Sequence, residues 1–191
     1  DSSTSRGLGD VYKRQMPDAL HDEDDLHIDI RNIAYKYMFG GLGAKKPKNL
    51  ERFENYKANT DEITLKHKQE EVDFYKNFKK NGITNEAIKK SLENFEKHYK
   101  KFEQQLQNQK FLLGDNLSAL DIAWFIYTYR LTISGFPFKE KYPNIYKWYN
   151  SIYSRNEFSK EVKPPFIFYL VRLVSLFKSY LSGTSIRAFL S

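Results

Sequence analysis

Cysteine is absent from this 191-residue chain. That excludes a disulfide scaffold, thiolate-ligated zinc, iron–sulfur clusters and a cysteine nucleophile, and it suits a reducing compartment. No charge-free stretch approaches the roughly 18 apolar residues of a membrane-spanning helix, and the mean hydropathy is -0.68. No apolar segment near the N-terminus reads as a signal peptide, so a cytoplasmic protein is expected. Arginine is scarce: the 31 basic residues are 23 Lys and 8 Arg. Against 24 acidic residues they leave a net charge of +7 and an isoelectric point of about 9.3. Arginine makes the bidentate contacts that read bases. A lysine-dominated excess, with frequent Asn, Ile, Phe and Tyr, reads instead as the coding bias of AT-rich DNA, and no nucleic-acid partner is expected. There is no P-loop, no G-x-S-x-G and no dinucleotide fingerprint. His21, His27, His67 and His98 show no metal-ligand spacing, and the acidic run at 21–25 lacks the glycine of a calcium loop. No metal site and no catalytic residue is assigned.

What is present is apolar content of 40%, enough for a core, arranged on a helical period. Residues 1–15 stand apart. They show no helical or strand periodicity and resemble translated sequencing adapter; a disordered arm is the alternative. The expectation is that the chain is a C-terminal fragment in which Met16 need not be a start. Residues 21–39 place Leu26, Ile30, Ile33, Ala34, Tyr37 and Met38 at spacings of three and four, an amphipathic helix stopped by Gly40, Gly41 and Gly43. Residues 44–59 are polar and read as a loop with at most a helical turn near Arg52. The helical period resumes over 60–80 and ends at Asn81-Gly82. Thr84 caps a further helix to about residue 109, whose stripe is Ile88, Leu92, Phe95, Tyr99, Phe102 and Leu106. No alternating strand pattern and no hairpin signal occurs, so the fold is expected to be all-α.

The segment 111–162 carries the most information. Phe111-Leu112-Leu113-Gly114 makes a short apolar turn. In Leu117-Ser118-Ala119-Leu120-Asp121-Ile122, Ser118 is a natural N-cap and Asp121 stands three positions on, the spacing of a capping box; Leu117 and Ile122 are placed for a hydrophobic staple. The helix at 119–133 is apolar nearly all round, as a buried central helix is. Such a helix needs a firm start, because its buried amides cannot turn to water. Tyr129-Arg130-Leu131 follows, then Tyr142-Pro143-Asn144-Ile145 with Trp148, Ile152 and Arg155. Pro143 suits the first turn of a helix, and Trp148 is expected to pack on the central one.

This constellation, an apolar turn, a Ser-x-x-Asp box, a buried helix ending in Arg-Leu, then Tyr-Pro and Trp, resembles the C-terminal helical domain of the glutathione S-transferase superfamily. Asp24-Asp25-Leu26-His27 followed by Ile33-Ala34-Tyr35 resembles that domain's first helix, including that of bacterial relatives similar to beta-etherases. The resemblance spans about 18–162. It implies a helical bundle over 16–162 that lines the electrophile pocket and takes part in dimerisation. It also implies a separate thioredoxin-like domain, absent from this chain, that holds glutathione and activates its thiol. The intact protein is then expected to be a homodimeric enzyme that conjugates or reduces small hydrophobic electrophiles with glutathione as cosubstrate, while this fragment alone is inactive. The resemblance puts Tyr35, Met38 and Phe39 of the first helix and Tyr127, Arg130 and Leu131 of the central one at the electrophile pocket. Tyr35 and Phe39, at i and i+4, are by the general preference for aromatic burial more often core or interface residues, and Arg130 could be a structural ion-pair partner. Ser118 and Asp121 are expected to serve the fold rather than the chemistry.

Residues 163–191 extend beyond that domain. Pro164-Pro165 opens an extra apolar helix at 166–181, whose polar residues Arg172, Ser175 and Ser179 share one stripe beside Lys178. It is too short to span a bilayer comfortably. It either docks on the domain, over the electrophile pocket, or lies on a membrane surface through 164–181. A non-catalytic protein-interaction module and a membrane-associated transferase-like protein are therefore the alternatives to the enzyme.

Overall fold

Ten helices and no strand form among the described residues, 26–39, 47–56 and 62–190, of a computed structural model. They are α1 (His27–Tyr37), α2 (Pro47–Asn55), α3 (Glu62–Asn81), α4 (Asn85–Gln105), α5 (Ala119–Ile133), α6 (Phe138–Lys141), α7 (Pro143–Tyr153), α8 (Asn156–Val162), α9 (Phe166–Leu181) and α10 (Ile186–Phe189). Residues 1–25, the glycines at 40–43 and the start expected near 60 lie outside the described residues.

The stripe of α4 is the reason it forms the wall of the core: Ile88, Leu92, Phe95, Tyr99, Phe102 and Leu106 are all buried. The Thr84 hydroxyl accepts from the Ala87 amide at 3.2 Å and starts the helix. On α1, Leu26, Ile30, Ile33, Ala34 and Tyr37 are buried against it, and a polar seam fixes the register. Asp29 accepts from Ser91 Oγ at 2.7 Å and from Asn94 Nδ2 at 2.9 Å, while Asn32 Nδ2 donates to Ser91 Oγ at 3.1 Å. Gly82 closes α3 with φ +68° and its amide bonded to the Phe78 carbonyl at 2.9 Å, the left-handed conformation that glycine adopts without a Cβ clash.

α5 fills the centre. Trp124, 1% exposed, meets Phe102, Tyr99, Tyr127 and Phe95 edge-on at centroid distances of 4.7 to 6.3 Å, the geometry that aromatic quadrupoles favour by about 1 kcal/mol per pair. α7 packs beside it through Ile145, Trp148, Tyr149 and Ile152. No side chain of its own caps α7. The Glu103 carboxylate from the end of α4 does so instead, accepting from the amides of Asn144 and Ile145, both at 3.0 Å. A carboxylate at a helix start satisfies orphan amides and meets the positive end of the dipole.

Two readings of the sequence need correction. Residues 47–55 are a helix, not a loop. The sequence is polar and its apolar spacing slight, so the support is tertiary, as it is for most short helices. Leu50 is buried against Val72, Phe74 and Tyr75, and Lys68 Nζ donates to the carbonyls of Glu54 and Tyr56 at 2.9 and 2.6 Å. The helix expected to reach 109 ends at Gln105, where Leu106 turns back into the core and the Phe111–Gly114 turn closes on itself by two backbone hydrogen bonds of 2.8 and 3.1 Å.

Candidate functional site

The centre of the site is built by one carboxylate. Asp121, fully buried, accepts from the Ser118 amide at 2.9 Å and the Ser118 hydroxyl at 2.5 Å with one oxygen. Its other oxygen accepts from the Leu112 amide and from Trp148 Nε1, both at 2.9 Å. The Ser118 hydroxyl in turn accepts from the Asp121 amide at 3.3 Å, which closes the capping box. Asp121 thereby joins the 111–114 turn, the start of α5 and the middle of α7. The Ser-x-x-Asp spacing announced the cap. The bond to Trp148, 27 residues on, had no signal in the sequence. Every oxygen of this acid is committed to holding the bundle, so it has no free lone pair aimed at a substrate.

With α5 held at that angle, its second half meets the end of α1. A cavity of about 320 Å³ lies between them, lined by Tyr35, Met38 and Phe39 from α1 and its following turn, and by Tyr127 and Arg130 from α5, with His27 and Arg31 at the same wall. A second cavity of about 380 Å³ adjoins it and shares Met38, Phe39 and Arg130. It is bounded by Ile126, Tyr129 and Ile133 of α5 and covered by Phe168, Tyr169 and Arg172 of α9. Both volumes are in the range of small-molecule sites. Five of the six residues assigned to the electrophile pocket thus line a cavity. Leu131 does not: it is fully buried in the core cluster. Ile126, Tyr129 and Ile133 also line the second cavity, and with Arg130 they stand at i, i+3, i+4 and i+7, one face of a helix. That spacing was the signal. The contribution of α9 could not be read from its own sequence.

The chemistry of the walls follows from what each group touches. Tyr35 belongs to an aromatic cluster: its hydroxyl is 2.8 Å from that of Tyr75, and its ring meets Phe39, Phe74 and Phe78 edge-on. The Arg31 guanidinium lies over Phe74 at 5.2 Å, a cation–π arrangement, and its Nη1 is buried with no hydrogen-bond partner among the described residues. Burial, with Tyr169 and Tyr153 close by, pushes the Tyr129 hydroxyl up to about 12, against the opposing pull of Arg172. At neutral pH it is therefore a phenol and offers an O–H rather than a charge. Arg172 Nε donates to the Ile133 carbonyl at the end of α5. Arg130 is exposed. The result is a recess that is apolar around Ile126, Ile133 and Phe168 and carries guanidinium groups, the Glu161 carboxylate and the His27 imidazole on its walls. Among the described residues no cluster of histidine and carboxylate groups could hold a metal ion.

The family model of the glutathione S-transferase C-terminal domain matches residues 54–156, more than half of the chain. The chain belongs to this family. The match covers α3 to α7 and includes the Asp121 clamp and the whole of α5. α9 and the cover it gives the second cavity lie beyond the matched residues of this glutathione S-transferase-like domain. No curated protein and no solved structure matches the chain.

Proposed function

We propose that this domain forms the electrophile-binding side of a cytoplasmic, homodimeric glutathione S-transferase that conjugates or reduces small hydrophobic electrophiles. The observation that carries the reading is the pair of adjoining cavities, one of them largely apolar, between the end of α1 and the second half of α5. Met38, Phe39, Ile126 and Ile133 would strip water from an apolar electrophile and hold its reactive carbon in one place. Holding two reactants in register removes much of the entropy cost of their meeting. Glutathione supplies the sulfur nucleophile, and its thiol would be activated by a domain other than this one. The residues present suit a peptide thiol at the rim: the exposed Arg130 guanidinium is a donor for one of its carboxylates.

The test is a fluorescence titration of the chain with S-(2,4-dinitrophenyl)glutathione, which carries an apolar aryl group and the peptide carboxylates in one molecule. Saturable binding is expected. Arg130→Ala should weaken it about ten-fold, the usual loss of one hydrogen bond to a charged group, and Met38→Glu should abolish it by placing a charge between the two cavities. Absence of saturable binding, or binding indifferent to both substitutions, overturns the proposal. For the activity itself, an upstream frame encoding a thioredoxin-like βαβ unit is expected in the genomic DNA; a stop codon just before Met16 would withdraw the enzyme reading.

A further inference from the structure

α9 sits on the domain the wrong way round for an ordinary amphipathic helix. Its polar stripe faces inward: Ser175 and Ser179 are buried, Ser175 Oγ donates to the Lys36 carbonyl at 2.7 Å, and Arg172 donates to the Ile133 carbonyl. Its apolar residues face solvent. Ile167, Leu170, Leu173, Val174, Phe177 and Leu181 are between 47% and 68% exposed, and the series 167, 170, 174, 177, 181 is one continuous helical face. Exposed apolar faces of this continuity mark interaction sites.

We propose that this face of α9 docks, lying flat, on an anionic lipid bilayer. Three observations choose the lipid over other occupants. The first is charge. From Lys163 onward the chain has no acidic residue, and the exposed cations left to meet a bilayer are Lys163 and Lys178, since Arg172 turns inward and Arg187 pairs with Glu140. Two copies meeting through this face would bring like charges together, whereas an anionic leaflet attracts them. The second is a groove of about 650 Å³ along one flank of the helix, where Lys36 and Lys178 stand with the hydroxyl-bearing Ser175, Ser179, Ser182 and Thr184, and whose apolar edge is Leu170 and Val174 of the exposed face. The exposed Lys178 ammonium bordering this apolar ridge matches a phosphate headgroup above its acyl chains, whereas the Ser175, Ser179 and Ser182 hydroxyls already donate to backbone carbonyls and Lys36 Nζ to Asn85 Oδ1. The third is size. A helix of 16 residues is about 24 Å long and about 10 Å wide, a few hundred Å² per copy, against the roughly 800 Å² per partner of a stable dimer. It cannot cross the bilayer: no helix among the described residues is long and apolar enough. Both ends of α9 are tied down, since Tyr37 Oη donates to the Thr184 carbonyl at 2.8 Å, Ile186 of α10 is buried in the core, and Phe168 meets Phe39 edge-on. The face is thus presented ready-made, without a folding cost at the membrane. This inference is independent of the electrophile site.

The experiment is co-sedimentation of the full chain with vesicles of mixed phosphatidylcholine and phosphatidylserine and, separately, of phosphatidylcholine alone. Binding to the mixed vesicles is expected to be about thirty-fold tighter, the effect of two lysines near the charged surface. Lys178→Ser should lower it about five-fold, and Leu173→Glu with Phe177→Glu at least about a hundred-fold. All three positions are exposed, and a melting curve checks that the variants fold. No binding to the mixed vesicles overturns the proposal, as does binding that the double substitution leaves unchanged or that ignores phosphatidylserine. A dimer in sedimentation velocity that Leu173→Glu with Phe177→Glu dissociates, with vesicles unbound, would assign the face to a second copy instead.

Discussion

α5 and α9 are nearly alike as sequences. One has 15 residues and the other 16, both are rich in Leu, Ile, Phe and Tyr, and each carries a few polar positions. α5 lies in the middle of the core with eight residues buried; α9 buries two, and both are serines. The difference teaches that apolar content alone does not decide burial. Polar groups decide it by where their partners are. In α5, Asp121 finds four donors and Thr128 bonds the Trp124 carbonyl at 2.7 Å, so this carboxylate and this hydroxyl enter the core satisfied, while Trp124 Nε1 is buried with no hydrogen-bond partner among the described residues. In α9, the partners of Ser175 and Arg172 are carbonyls on the body of the domain, and the helix turns its polar side to reach them.

The comparison can be broken most severely at Asp121. Asp121→Ala leaves the amides of Leu112 and Ser118 and the Trp148 indole N–H buried without an acceptor. A loss of about 5 kcal/mol is expected in urea unfolding, enough to unfold a domain of ordinary stability. Phe125→Ala, in the stack with Tyr149 at 5.6 Å, should cost about 4 kcal/mol through the cavity left behind. Raising the pH attacks the same region. Burial pushes the hydroxyls of Tyr37, Tyr99, Tyr142 and Tyr149 upward, and that of Tyr129 to about 12 from its ordinary 10.0. A phenol that ionises less readily when folded contributes stability that is complete below the unfolded value and lost as pH rises through the folded one. Circular dichroism should therefore show stability falling from about pH 10 to about pH 12, while it stays level through neutral pH on account of these groups. Two smaller effects sharpen the contrast from the side of α9. Ser175→Ala strands the Lys36 carbonyl and should cost about 1 kcal/mol, whereas Phe177→Ser, on the exposed face, should change stability by less than about 0.5 kcal/mol in either direction.

Much of the architecture was legible in the chain. The stripes of α1 and α4, the cap at Thr84, the Ser118–Asp121 box and the limits of α5 and α9 are local signals, set by residues three and four apart, and periodicity reports them well. The helix at 47–55 was not legible, because its stability comes from Leu50 and Lys68 meeting partners across the fold. The same holds at the site. Tyr35, Met38 and Phe39 share a helix face and could be grouped, but Leu131 was assigned to the pocket and lies in the core. One position along a helix turns a side chain by about 100°, and only the packing angle of α5 decides that Arg130 lines the cavity while Leu131 is buried in the core. The role of Arg31 was invisible for a similar reason: its neighbours Phe74 and Tyr75 come from α3, more than 40 residues away.

The sequence by itself determined that this is a bundle of helices, where most of them start and stop, and which apolar stripes build the core, because those properties depend on contacts within a few residues. The tertiary structure alone decided which way α9 turns. α1 and α5 end beside each other, and the carbonyls of Lys36 and Ile133 in their last turns have no backbone donor among the described residues, while the neighbouring ones bond to Met38, Ser134, Gly135 and Phe136. Orphan carbonyls at helix ends demand donors, and a cation there also meets the negative end of the dipole. Ser175 and Arg172 supply those donors, so α9 lays its polar stripe inward across two helix ends and leaves its apolar face outside.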